Sequence, residues 1–216
     1  MTPVLAQSTP AVELRPILPE LILVSTGIAL LLGAVIARRA EAVTLLLLGL
    51  AGVVAAGVAA VGLWDWDGDL TVLGGAVAVD RFGVVVRLII LAVTAIGMVL
   101  GYHYFERSGE TRSEFYPLML FAASGMTLFA VSADLITAFL ALEILSLSLY
   151  VLTGLSNRLG SIEGAMKYFL LGAFSSAVLL YGISLIYGAL GTTNLIAIGE
   201  ILARGEGTGK IGRAHV

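Results

Sequence analysis

Six apolar runs, at 17–37, 42–63, 83–102, 115–132, 134–154 and 161–190, constrain this chain more than any other feature. The second, AVTLLLLGLAGVVAAGVAAVGL, carries no ionisable group. A helix rises about 1.5 Å per residue and a bilayer's hydrocarbon core is about 30 Å thick, so about 20 apolar residues cross it. In hydrocarbon the backbone must satisfy its own hydrogen bonds, which leaves helices or closed barrels. These runs are continuous and lack the alternation of a barrel strand. The expected fold is an all-α integral membrane protein, a polytopic bundle of about six transmembrane helices.

Composition agrees. The chain is 59% hydrophobic and 12% charged, where soluble domains are about half apolar and about a quarter charged. Its net charge of −3 gives no electrostatic footprint for nucleic acid. Without cysteine there is no disulfide or thiolate metal site. His103 and His215 stand too far apart in sequence to suggest a metal cluster, so neither metal nor cofactor binding is expected. The 26 glycines scatter through apolar runs, as where membrane helices pack closely. The first run is too long for the core of a cleavable leader and lacks a basic segment before it. It reads as the first span.

Basic residues set the orientation. Arg38 and Arg39 follow span one, Arg107 and Arg112 follow span three, and Arg158 follows span five. The opposite side has Arg15 and Arg81, beside the acidic WDWDGD with Asp65, Asp67 and Asp69. By the positive-inside rule the N-terminus lies outside the cell membrane and Arg158 faces the cytoplasm. Trp64 and Trp66 fall where an interfacial aromatic belt belongs. This divides the chain into an external segment (1–16), three spans (17–111), three more (112–190), a connector (191–209) and a tail (210–216).

FLALEILSLSLY, at 139–150, places Glu143 within span five. Glu143 lies nine residues beyond Asp134, about 14 Å deep and close to the midplane. An ionisable group there costs about 2.5–3.5 kcal/mol on insertion scales, and such residues mark ion or proton paths. Span six carries Lys167, six residues beyond Ser161 and about 9 Å deep. Adjacent helices lie about 8–10 Å apart, so Glu143 and Lys167 can pair directly or through water. Burial favours the neutral form of each group, and pairing favours the charged forms. A pair held between these tendencies suits a proton relay. Lys167 alone is equally well read as snorkelling to the headgroups. Ser146, Ser148, Ser175 and Ser176 either hydrate this site or bond to the preceding helical turn.

Arg87 reads as snorkelling outward or pairing near Asp80 and Arg81. His103, between Tyr102 and Tyr104, reads as interfacial. In GTTNLIAIGEILARG, Thr192 or Thr193 is the expected cap of a short amphipathic helix on the outer surface. The final IGRAHV breaks the pattern before it and matches the in-frame translation of a sequencing adapter. Residues 210–216 are expected to be non-native and the natural chain to continue; the alternative is a native polar tail.

FLALEILSLSLYVLTGL and SIEGAMKYFLLGAFSSAVLLYGISLIYGALGTTNL, with VDRFGVVVRLIILAVTAIG and SADLITAFLALE, carry a family resemblance. Over about residues 17–203 the chain resembles subunit N of bacterial proton-pumping NADH:quinone oxidoreductase, respiratory complex I. LEILSLSLY and MKYFLLGAFSS are the specific motifs, and they separate this subunit from related antiporter-like subunits.

The resemblance implies an antiporter-like fold of about fourteen spans with two inverted five-helix repeats, of which this chain holds the N-terminal part. The family's glutamate on span five corresponds to Glu143, and its lysine on span six to Lys167. Its later lysines, on spans seven, eight and twelve, have no counterpart in these residues. The implied role is proton translocation coupled to quinone reduction, within the respiratory chain of a bacterial inner (plasma) membrane. The implied partners are other complex I membrane subunits, the lipid bilayer and protons. NADH, flavin, iron–sulfur clusters and quinone are expected in partner subunits, with no redox chemistry here. The alternative is a subunit of a multi-subunit cation/proton antiporter.

Overall fold

The computed structural model describes residues 13–36, 41–109, 112–156 and 158–205. The segment 1–12, Arg38, Arg39 and the tail at 206–216, with His215, lie outside the described residues. A 3-10 turn, Arg15–Ile17, leads into α1 (Leu18–Ile36). Then come α2 (Ala42–Val61), a hairpin of β1 (Thr71–Val72) and β2 (Val77–Ala78), and α3 (Arg81–Ser108). The rest is α4 (Phe115–Ala130), α5 (Leu135–Thr153), α6 (Leu159–Leu190) and α7 (Leu195–Ala203). All six expected spans are helices. Five are long and apolar enough to cross a bilayer, and α4 is the shorter sixth.

Local chemistry explains the boundaries. Asp80 caps α3 by accepting from Gly83 N at 2.6 Å, so the helix starts earlier than its apolar run. It runs on past the apolar segment to Ser108, where Gly109 takes the left-handed conformation, φ 67°. Helix α4 stops before 132 because the next residues join the hairpin. Val131 O accepts from Ala78 N at 2.8 Å, and Ser132 bridges Val77.

Four helices share one core. Leu23 and Leu30 of α1 meet Leu45, Leu46, Val53 and Ala56 of α2, Leu91 and Met98 of α3, and Tyr116, Leu120 and Ala123 of α4. The all-apolar α2 is packed on one side while Leu47, Val54 and Val58 stay exposed on the other. Helix α5 packs on α4, and α6 packs on α5. Only Ile183 of α6 is buried among the described residues.

The expected threonine cap of α7 is corrected. Asn194 caps it, its Oδ1 accepting from Ile196 N at 3.1 Å and Ala197 N at 3.0 Å. Thr193 instead donates its hydroxyl to Asp134 Oδ2, and Thr192 Oγ1 accepts from Asn194 N. A threonine committed elsewhere leaves the cap to the Asn, the stronger capping residue.

Candidate proton-bearing site around Glu143

Two helices and one capping residue position Glu143. Asp134 starts α5 by accepting from Ile136 N at 2.8 Å and Thr137 N at 3.3 Å. On one side of α5 lies Gly125 of α4. A Cβ there would stand 2.7 Å from Leu145 N and 2.8 Å from Ala141 O. The backbones of α4 and α5 therefore touch on either side of Glu143, as only glycine permits. Ala141 is fully buried in that contact.

Helix α6 covers another face. The Tyr150 ring stands edge-on to Tyr168 at 4.9 Å and to Phe169 at 5.7 Å between centroids. Its hydroxyl fills the space a side chain at Gly172 would take. One turn on, Gly154 lies against Ala165, and Ser161 Oγ donates to Thr153 O at 2.5 Å. Glu143 precedes Tyr150 by seven residues, about two helical turns, so both point toward α6. Glu143 Oε1 is fully buried and accepts no hydrogen bond.

The structure does not bring Lys167 to Glu143. Lys167 Nζ bonds Glu163 Oε1 at 2.5 Å, one turn earlier in α6, and both side chains are exposed. Residues 161, 165, 168, 169 and 172 mark the face of α6 that meets α5. Lys167 lies about 200° around the helix from Ala165, on the opposite side. The direct Glu143–Lys167 pair is thus replaced by a local Glu163–Lys167 pair.

A second correction concerns Arg87. It is 1% exposed and does not snorkel. Its Nε donates to Glu20 Oε1 at 2.9 Å, and one terminal nitrogen donates to Glu20 Oε2 at 3.0 Å and Pro16 O at 2.9 Å. Sequence reading missed Glu20. The available signal was a carboxylate near the start of span one, level with an arginine near the start of span three.

The remaining ionisable groups sit at the ends. His103 is exposed, 3.7 Å from Glu106 and edge-on to Tyr102. Trp64 lies under Arg81 and Trp66 under Arg15, each at 5.6 Å. Ser148 and Ser175 donate to carbonyls one turn back, at 2.8 and 2.9 Å.

Six apolar helices, a close-packed α4–α5 contact and a mid-span carboxyl define a polytopic helical membrane protein. Residues 132–213 match the family described as NADH:quinone oxidoreductase/Mrp antiporter, transmembrane. NADH-quinone oxidoreductase subunit N of Trichlorobacter lovleyi is 40% identical over 92% of this chain and 41% of its own length. F(420)H(2) dehydrogenase subunit N of Methanosarcina mazei is 37% identical over 87% of this chain and 39% of its own. A chain of respiratory complex I from Thermus thermophilus, solved with bound aureothin, superposes with TM-score 0.67 at 33% identity. That match covers 82% of this chain and 38% of the other. Over most of its length the chain is similar to the antiporter-like membrane subunits of NADH:quinone oxidoreductase, and to subunit N among them. It spans about two-fifths of the length of the curated relatives it matches.

Proposed function

We propose that this chain serves in the membrane arm of an NADH:quinone oxidoreductase and contributes to proton translocation driven by quinone reduction. The carrying observation is Glu143, a mid-span carboxyl whose Oε1 is buried and unbonded. A carboxyl without a fixed counter-charge can load and release a proton when a neighbouring charge changes. Lys167 acts from the far side of α6, through its field or through water, and Glu163 steadies it. Electron transfer through NADH, flavin, iron–sulfur clusters and quinone belongs to partner subunits. The setting is a bacterial inner membrane, with the N-terminus outside.

The family description also names Mrp antiporters. Gene neighbours encoding quinone-reductase subunits favour the first reading, and antiporter genes the second. The functional test replaces Glu143 with Ala in the complete subunit within its assembled complex. Pumping should fall while assembly persists, and Lys167→Ala should be milder. Normal pumping by Glu143→Ala defeats the proposal.

A further inference from the structure

We propose that Ser176 of α6 is a positioning residue for Glu143, bonded to its free carboxyl oxygen through one water. The inference rests on Glu143 being the proton-bearing group, and it adds a residue from the facing helix.

The argument is one of register. Helices α5 and α6 run antiparallel along their contact. Tyr150 meets Phe169, and four residues further on Gly154 meets Ala165, four residues back. These two contacts give one alignment, and the Tyr150–Tyr168 contact agrees with it to within one residue. Seven residues back from Tyr150 is Glu143, and seven on from Phe169 is Ser176. Seven residues are about two turns in each helix, so both side chains stay on the shared face at the same height.

Burial supports the alignment. Ser176 is half-buried, while residues 173–175 and 177–181 are exposed. Hydrogen bonding singles it out again. Its neighbour Ser175 is committed to Leu171 O, and Ser148 to Ile144 O. Neither Ser176 nor Ser146 has such a bond among the described residues. Ser146, one turn along α5 from Glu143, is placed to hold the other side of a bridging water. A bridging water needs two to four polar partners, and these three groups supply them.

The chemistry suits a carboxyl that changes state. A serine hydroxyl donates to a carboxylate and, after rotation, accepts from a carboxylic acid. It therefore holds one orientation of Glu143 in both protonation states. A lysine offers donors only and would favour the ionised form.

The test uses the assembled complex with the complete subunit, reconstituted in liposomes. Two measurements are made, the rate of proton translocation and the carboxyl stretching band of Glu143 in difference infrared spectra. Ser176→Ala should slow translocation about three- to tenfold, the range of a typical hydrogen bond. It should also shift the Glu143 band. Ser176→Thr, which keeps the hydroxyl, should restore both. Ser175→Ala should match the unmodified complex. Ser176→Ala with normal pumping and an unmoved band overturns the inference. If Glu143→Gln itself pumps normally, the functional proposal fails, and the band alone then decides whether Ser176 reaches Glu143 through water.

Discussion

Arg87 and Glu20 join α3 to α1 through two parallel hydrogen bonds, at 2.9 and 3.0 Å, with side chains only 1% and 8% exposed. The fork of a guanidinium matches the two oxygens of a carboxylate. The remaining bond, to Pro16 O, fastens the chain just ahead of α1. Both side chains are buried, so little solvent is at hand to replace a lost partner.

Removing either partner should therefore cost far more than an exposed pair would. Glu20→Gln or Arg87→Leu leaves one buried charge uncompensated, an expected loss of about 3–5 kcal/mol. Replacing both with apolar residues of similar volume should recover most of it. Thermal melting of the purified chain in detergent checks this. A single variant that melts like the parent would show that the pair is solvated.

Gly125→Ala should separate α4 from α5. Its Cβ would strike the backbone at Ala141 and Leu145, which cannot rotate away. Overpacking of this kind costs about 1–3 kcal/mol. Gly33 in α1 has open space where a Cβ would go, so Gly33→Ala is the matched control. The same melting assay should show a loss for the first and none for the second.

Gly172→Ala should loosen α6 alone. The new methyl would occupy the place of the Tyr150 hydroxyl, and Tyr168 and Phe169 hem in that ring. Few other contacts hold α6, whose one buried residue among those described is Ile183. Hydrogen exchange of α6 amides should quicken while α1 to α4 keep their protection. Uniform change along the chain would mean that Tyr150 does not pin α6.

Asp134 and Thr193 should behave as one unit. Asp134 caps α5 with one oxygen and takes the Thr193 hydroxyl with the other. Asp134→Ala should cost about 0.5–2 kcal/mol as a lost cap. Thr193→Val should cost less, and the double variant less than the sum of the two. Additive losses in a melting series would show that the two residues act independently.

The helices were legible because apolar length alone specifies a membrane span. All six were found in sequence, with ends displaced by a cap at Asp80 and by the hairpin at Val131. Glu143 was legible because a lone carboxyl inside such a run is conspicuous. The pairings were not. Lys167 was matched to Glu143 by the spacing of adjacent helices, but spacing says nothing about azimuth, and Glu163 was already one turn away on its own helix. Arg87 finds Glu20, 67 residues earlier, through the packing of a four-helix core that no local pattern encodes. Tyr150 carried no separate signal in the sequence, and its hydroxyl finds its place only through Gly172 on the facing helix.

The most direct measurement is difference infrared spectroscopy of the assembled complex, resting against turning over, with Glu143→Gln identifying the Glu143 band. A carboxyl that loads and releases a proton predicts a carboxylic-acid band that changes during turnover and disappears in Glu143→Gln. A band that stays constant through turnover, with proton pumping intact in Glu143→Gln, would contradict the account and leave Glu143 a structural residue.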